Sequence, residues 1–280
     1  MTVPVDVDNA ALARFRAEYG TSGDGAGDVA LPPVAVVIAA YNEATNIGQV
    51  IDAVPREVCG LPVSVVVVDD GSSDDTAAVV RGHGGYAVEP LVNRGQGAAL
   101  RLGYRAAREG GARFIATTDA DGQYDASELP LIVGPLVEGT ADFVSGSRRL
   151  GRAETHDRVR LAGVRFYAGM IGVLTRTPIT DPANGFRAMT AKVTEQVTLE
   201  QPQYQATELL IGAIYRGFRV TERATTMRER HSGGSKKGNN LLYGYRFGKV
   251  IVSTWWREAR RARRDGGRLG APTTRTRTPA

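Results

Sequence analysis

The sequence predicts an α/β fold with a mostly parallel central sheet flanked by helices. Two observations predict it. Runs of β-branched apolar residues, of strand length, alternate with segments whose apolar residues recur at helical spacing. Each run is also followed by polar residues, which is the form of a sheet that carries a site along its carboxyl edge.

The elements follow in order. "NAALARFRAEYG" (9–20) predicts a short helix and "TSGDGAGD" (21–28) a flexible linker. "VAVVIAA" (34–40) is a strand buried on both faces, since it has no polar alternation. After the loop "YNEATN", residues 47–54 form an amphipathic helix, and "VSVVVVDD" (63–70) is a second buried strand. "SSDDTAAVVRGH" places Ser and Asp ahead of an apolar-periodic stretch, which is a helix start. "AVEPLV" (87–92) is a third strand and "GQGAALRLGYRAAREG" (95–110) a helix. "RFIATTDAD" (113–121) is a fourth strand, "SELPLIVGPLVEG" (127–139) a helix that Pro135 interrupts, and "DFVSGSR" (142–148) a fifth strand. Beyond residue 150 the pattern is less regular: a helix in "RFYAGMIGVLTR", a loop entering a strand in "DPANGFRAMT", and a helix then a strand in "QATELLIGAIYRGFRVTER".

The chain of 280 residues is 42% hydrophobic, enough for one sizeable core. Its single cysteine, Cys59, excludes an intramolecular disulfide framework and fits a reducing compartment. No basic-then-apolar leader opens the sequence, and no run of about 18 apolar residues would span a membrane. The net charge of +5 is concentrated late, in "RERHSGGSKKG" and "WWREARRARRDGGR". Such a patch suits nucleic acid, an anionic membrane or a phosphate-bearing substrate, and composition does not choose among them. No nucleic-acid recognition module accompanies the arginines.

The strand ends deliver Tyr41, Asn42 and Glu43; Asp69 and Asp70; Asn93, Arg94 and Gly95; Asp119, Asp121 and Gln123; and Ser147, Arg148 and Arg149 to one edge. On an extended segment alternate residues point the same way, so Asp119, Asp121 and Gln123 are expected to converge. Two carboxylates and an amide oxygen are hard ligands suited to Mg²⁺ or Mn²⁺, with phosphate oxygens completing the shell. A solvated acidic turn is the plainer alternative for an isolated pair. The glycines of "NRGQGAALRLG" suit either a phosphate at a helix N-terminus or a packing turn. His83, His156 and His231 show no metal-ligand spacing.

The ordered set "IAAYNEATNI", "VVVDDGSSDDT", "NRGQGAALRLG", "TTDADGQYD", "GSR" and "DPANGFRAM" resembles the family 2 glycosyltransferases of GT-A fold. Within them it looks most like the dolichyl and polyprenyl phosphate sugar synthases, over about residues 34 to 240. The resemblance implies a nucleotide-sugar site at Ala39, Tyr41, Glu43, Asp69, Asp70, Gln96, Asp119, Ala120 and Asp121, and a metal on Asp119, Asp121 and Gln123. It implies Asp121 and Arg148 as catalytic, and Arg148, Arg187, Arg230, Ser235 and Lys236 as contacts to phosphates or acceptor, with Asp181 beside them. The expected reaction is metal-dependent, inverting transfer of a mannose- or glucose-type sugar from a GDP- or UDP-sugar to a polyprenyl phosphate. A soluble hydroxyl acceptor is the alternative, and a non-catalytic nucleotide-sugar binder a further one.

Three features depart from the family pattern. Ala39 stands where proline is usual, Gln96 where lysine is common, and "RERHSGGSK" carries two extra residues, which leaves Arg228 and Arg230 competing for one position. Glu208 occupies a place where hydroxyl-directed relatives carry a base; here a structural role, or the orientation of an arginine, is the expectation. The organisation implied is an extension and linker (1–30), a catalytic domain (31–240), an amphipathic aromatic and basic helix (241–264) and a disordered tail (265–280). On that helix Leu241, Tyr245, Val252, Trp255 and Trp256 share a face opposite Arg246, Arg257, Arg261 and Arg264, the pattern either of a membrane-interface helix or of a face packed on the domain with its arginines solvated. The expected location is cytoplasmic, with peripheral attachment at the inner face of the cell membrane.

Overall fold

The computed structural model describes residues 5–21, 28–153, 158–201, 203–228 and 240–264. The expected tail (265–280) lies outside them, as do six residues of the expected linker, 22–27. The chain runs α1 (Val5–Tyr19), β1 (Val34–Ala40), α2 (Ile47–Ala53), β2 (Glu57–Val58), β3 (Leu61–Asp69), α3 (Thr76–Gly82), β4 (Tyr86–Val88), α4 (Gln96–Glu109) and β5 (Phe114–Thr117). A 3₁₀ turn (Ala126–Glu128) leads into α5 (Leu129–Val137), β6 (Phe143–Ala153), α6 (Arg158–Thr175), β7 (Arg187–Thr190), α7 (Ala191–Gln196), α8 (Gln205–Tyr215), β8 (Val220–Met227) and α9 (Asn240–Arg264).

One sheet orders these strands β2-β3-β1-β5-β7-β6-β8, with β4 paired to the other end of β3. β1 pairs in parallel with β3 and β5, as β3 does with β4 and β6 with β8. β2 and β7 run against the rest, so the sheet is mixed. The two-residue alternation of a strand divides the apolar runs between two cores. Ala35, Val37, Val66 and Val68 face a cluster completed by α1, α4, α8 and α9. Val34, Val36, Val65 and Val67 face a second cluster completed by α2, α3 and α5. Helices therefore cover both faces. Gly103 lets α4 lie directly on the sheet, because a Cβ there would stand 2.4 Å from Val37 Cγ1.

Several boundaries move. The third strand is Tyr86–Val88 rather than 87–92, because Pro90 cannot donate to a ladder and Leu91 and Val92 are exposed. The fourth stops at Thr117, short of both aspartates. The fifth continues to Ala153 with a register shift against β8 between Ser147 and Arg152. The helix through Pro135 runs on to Val137 without a break. Nor is the first segment a mere extension: Ala11, Leu12 and Phe15 of α1 are buried in the first core.

Candidate active site

The carboxyl ends of β1 and β3 form the first wall. Asn42, at φ +53°, ties the two loops together: its N–H donates to Ser72 Oγ at 2.8 Å, and its Oδ1 accepts the Ser73 N–H at 2.8 Å. The Glu43 carboxylate accepts Asn46 Nδ2 at 2.9 Å, while its N–H donates to Thr76 Oγ1 at 3.0 Å. Tyr41 is exposed at the mouth, whereas Ala39 packs toward the first core. Asp69 is buried and accepts the Ser72 N–H at 2.9 Å. Asp70 turns the other way and accepts the N–H groups of Arg94 (3.0 Å) and Gly95 (2.6 Å). Burial pushes the Asp70 carboxyl up, against the pull of those two donors. Asp70 thus fixes the loop before α4, and Asp69 holds the turn that follows β3.

The acidic loop forms the floor. Residues 118–123 are a turn, with Gly122 at φ +71° and Asp121 Oδ1 accepting the Gln123 N–H at 3.2 Å. The extended alternation expected to bring Asp119, Asp121 and Gln123 to one point is therefore absent, because a left-handed residue and an Asx-type hydrogen bond reverse the chain. Asp119 faces α4 and the loop before β7: Gln96 Nε2 donates to its Oδ1 at 3.4 Å, and a Cβ on Gly185 would stand 3.0 Å from its Oδ2. Asp121, 8% exposed, lines a cleft with Asn46 and Gln49 of α2, Thr118, Asp125 and Arg228. Gln123 is turned toward the end of β8, donating through Nε2 to the Arg228 carbonyl at 3.2 Å. Ala120 is buried between the two acids.

The third wall is built by β6 and the loop before β7. Arg148 grips Asp181 through Nε and Nη2, both at 2.6 Å, and through its backbone N–H at 3.1 Å. Asp181 is wholly buried and the Arg148 side chain 10% exposed. Burial works against the guanidinium, but the Asp181 hydrogen bonds outweigh it and its pKa is raised. Glu222 of β8 accepts the N–H groups of Thr180 and Asp181, and its burial pushes its carboxyl up. Arg187, expected on the acceptor side, is instead enclosed: it is 2% exposed, Nη2 donates to the Asn184 carbonyl at 2.5 Å, and burial lowers its pKa. Its place at the head of β7, pinned between β5 and β6, is what encloses it. Arg230, Ser235 and Lys236 lie outside the described residues.

Glu208 of α8 is fully buried and accepts the N–H groups of Glu200 and Gln201 at 3.0 Å and Arg257 Nη1 at 2.7 Å. It orients an arginine of α9. Asn46, Gln49, Thr118 and Arg228 also line the cleft of Asp121, and no motif in the sequence marks the first three. Arg228 ends β8 beside the acidic loop, where its guanidinium binds the Asp125 carboxylate. The isolated pairing of Tyr124 with Met227 brings β8 to that loop, and no local pattern announces it.

The profile of the family described as Glycosyl transferase family 2 matches residues 35–198. The chain is 31% identical over 219 residues to a dolichyl-phosphate hexose transferase of Haloferax volcanii, covering 78% of this chain and 92% of that one. It is 28% identical to an undecaprenyl-phosphate mannosyltransferase of Micrococcus luteus, over 85% of this chain and 99% of the relative. Among solved structures it is similar to the Mycobacterium tuberculosis glucosyl-3-phosphoglycerate synthase in complex with Mn²⁺, UDP and phosphoglyceric acid. That likeness has a TM-score of 0.63 and 21% identity, over 81% of this chain and 78% of that one.

Proposed function

The chain belongs to glycosyltransferase family 2 and is a glycosyltransferase of GT-A fold, and from that premise we propose that it moves a hexose from a GDP- or UDP-sugar to a polyprenyl phosphate. The observation that carries the acceptor is the pair of relatives named for lipid-phosphate transfer, matched over 92% and 99% of their own lengths. The donor reading rests on geometry: Asp69, the 93–96 loop and the acidic turn share the carboxyl edge of β3, β4 and β5, where an open α/β sheet binds ligands.

On this reading Asp119 and Asp121 are the residues that would hold a divalent cation, although among the described residues no cluster of three His, Cys, Asp or Glu side chains is assembled. Both offer hard carboxylate oxygens, and the missing Cβ of Gly185 leaves room for the Asp119 carboxylate. A bound Mg²⁺ or Mn²⁺ supplies charge neutralisation for a leaving diphosphate. Gln96 steadies Asp119 through its amide, and Tyr41 closes the mouth against a base. Arg148 has Nη1 beside Met227 Sδ while Asp181 holds its other two nitrogens, so on this reading the Arg148–Asp181 ion pair is a fixed element of the acceptor wall rather than a free cation. A phosphate is already an anionic nucleophile, so no side chain has to remove a proton from it. Attack opposite the leaving group inverts the anomeric carbon.

On this reading the family core lies within residues 31–240, α1 and α9 complete its first hydrophobic cluster, and the outer face of α9 is what meets a membrane. Tyr167 Oη donates to the Gly244 carbonyl at 2.7 Å and Trp255 Nε1 to the Leu174 carbonyl at 3.1 Å, so α6 and α9 lie side by side. Outward they present Phe166, Val173, Tyr245, Val252 and Trp256, with Lys249 and Arg260 alongside. The Arg260 guanidinium sits 3.5 Å from the Trp256 ring centroid. Aromatic and aliphatic groups among cations suit the surface of an anionic bilayer. Among the described residues no helix is long and apolar enough to cross one.

The test is a transfer assay with Mg²⁺ or Mn²⁺ in which GDP- and UDP-hexoses are offered with a polyprenyl phosphate and, separately, with small alcohols. Product on the lipid phosphate, lost in Asp121→Ala with the fold intact, is expected. Turnover of an alcohol with none on any lipid phosphate overturns the acceptor reading.

A further inference from the structure

We infer that α1 is part of the donor-site machinery, with Asp8 as a positioning residue that acts through Arg94 on the loop between β4 and α4. The inference rests on the donor-site reading above. Residues 89–95 connect an edge strand of three residues to the N-terminus of α4. Such a connection has little of its own to hold it: Leu91 and Val92 are exposed, and Pro90 donates nothing. α1 grips it at both ends. Arg14 Nη2 donates to the Glu89 carbonyl at 2.8 Å, and Asp8 Oδ1 pairs with Arg94 Nη2 at 2.5 Å.

The second contact is the demanding one. The Arg94 side chain is 6% exposed, and its Nε is buried without a hydrogen-bond partner, so Asp8 is its one salt-bridge partner among the described residues. A buried guanidinium that loses its counter-ion must move toward water or pull water in. Its own backbone cannot move freely without disturbing the site, because the N–H groups of Arg94 and Gly95 are the donors that Asp70 accepts. The next residue, Gln96, holds Asp119. The same loop touches the β3 turn, where a Cβ on Gly71 would stand 2.9 Å from the Asn93 nitrogen. One ion pair thus connects α1 to Asp70, which fixes the loop, and through Gln96 to Asp119 at the donor edge.

α1 is otherwise anchored independently of that loop. Phe15 packs edge-on and Tyr19 tilted against Tyr86, with centroids 6.3 and 5.0 Å away, and Arg16 pairs with Glu109 at 2.6 Å, at the far end of α4. The helix therefore stays docked when Asp8 is altered, which separates positioning from folding.

The test compares the full-length wild type with Asp8→Asn, Asp8→Glu and, as a control about two turns further along α1, Arg16→Gln. UDP and GDP, each with Mn²⁺, are titrated by calorimetry, and amide exchange is followed at residues 89–96. Asp8→Asn should weaken nucleotide binding about tenfold and speed exchange at Arg94 and Gly95. Asp8→Glu should recover most of both, and Arg16→Gln should leave both as in the wild type. If Asp8→Asn does not fold, the Asp8→Asn/Arg94→Gln pair, which leaves no unpaired buried guanidinium, is expected to show the same loss of affinity. Wild-type binding combined with unchanged affinity or unchanged exchange in Asp8→Asn overturns this inference alone. A wild-type chain that binds neither nucleotide overturns the donor-site reading and this inference with it.

Discussion

Gly185→Ala should separate chemistry from folding at this site. A Cβ at residue 185 would lie 3.0 Å from Asp119 Oδ2 and 3.1 Å from Oδ1, closer than ordinary carbon–oxygen contact. The glycine backbone cannot be the part that yields. Its N–H donates to Tyr124 Oη at 2.8 Å, its carbonyl accepts Thr117 Oγ1 at 2.7 Å, and Tyr124 is stacked on Phe186 with centroids 5.5 Å apart. The Asp119 carboxylate, at the end of a turn, must move by a few tenths of an ångström. Misplacement by about 1 Å costs a well-oriented site about a hundredfold in rate, so a shift of this size is expected to cost about tenfold. Stability moves little: a gain of about 0.4–1 kcal/mol from stiffening the unfolded chain offsets crowding of about 1–3 kcal/mol. For a chain of this size Tm should stay within about 6 °C of wild type. Metal-dependent transfer rates and a thermal melt read the two effects separately. Wild-type rates in Gly185→Ala would refute the placing of Asp119 in the chemistry, and a collapsed melt would make Gly185 a residue of the fold alone.

Three further outcomes are expected. Glu208→Gln takes from Arg257 one of its two buried carboxylates, the other being Glu258, and should destabilise the chain by about 3 kcal/mol in denaturant melts, with kcat per folded molecule near wild type; lost kcat at unchanged stability would instead make Glu208 a base. The Arg219 hydrogen bonds hold the Asp142 carboxyl below its ordinary value of 3.8, so that contribution is present above the value and lost as pH falls through and below it. The Tm gap between wild type and Asp142→Asn should therefore be open at neutral pH and close in acid, and a gap independent of pH would refute the pairing. Tyr245→Ser/Trp256→Ser should weaken sedimentation with anionic vesicles about tenfold without lowering turnover of a short-chain prenyl phosphate in detergent; undiminished sedimentation would remove α9 from the membrane contact.

What could be read in the sequence were features that a few neighbouring residues decide. β1 and β3 are legible because strands buried on both faces need continuous apolar runs, and the loops after them because Asn, Asp and Gly carry their own turn chemistry. Elements held by distant partners were not. "AVEPLV" has the composition of a strand, yet Leu91 and Val92 are exposed loop residues beside the donor edge. The alternation of Asp119 and Asp121 suggested an extended segment, but Gly122 turns the chain between them and Gln123. Arg148 and Asp181 are 33 positions apart, and Glu208 and Arg257 are 49 apart, so nothing local says that each charge neutralises the other. For Arg257 and Arg261 of α9, expected on a polar face, the ends are bound to Glu208 and Thr198 of the fold, and it is Arg260 that lies beside Trp256.

The reversed direction of β7 explains why the acceptor wall and the acidic floor meet. Had β7 been parallel to β5 and β6, the residues before it would lie at the amino edge of the sheet, a strand's length from the loops that follow β1, β3 and β5. Because it is antiparallel to both neighbours, residues 181–186 arrive at the carboxyl edge. Asp181 there meets the arginine leaving β6, and Gly185 meets the acid leaving β5. The electrostatic result follows from the topology. Asp181 takes up most of the charge of Arg148, Arg187 is sealed inside, and Gln96 brings a neutral amide. The donor edge is then dominated, among the described residues, by Asp69, Asp119 and Asp121, which repel an anionic diphosphate. On the proposed reading, a donor reaches such an edge only as its complex with a divalent cation, so the dependence on metal is a property of how β7 is threaded as much as of the two aspartates themselves.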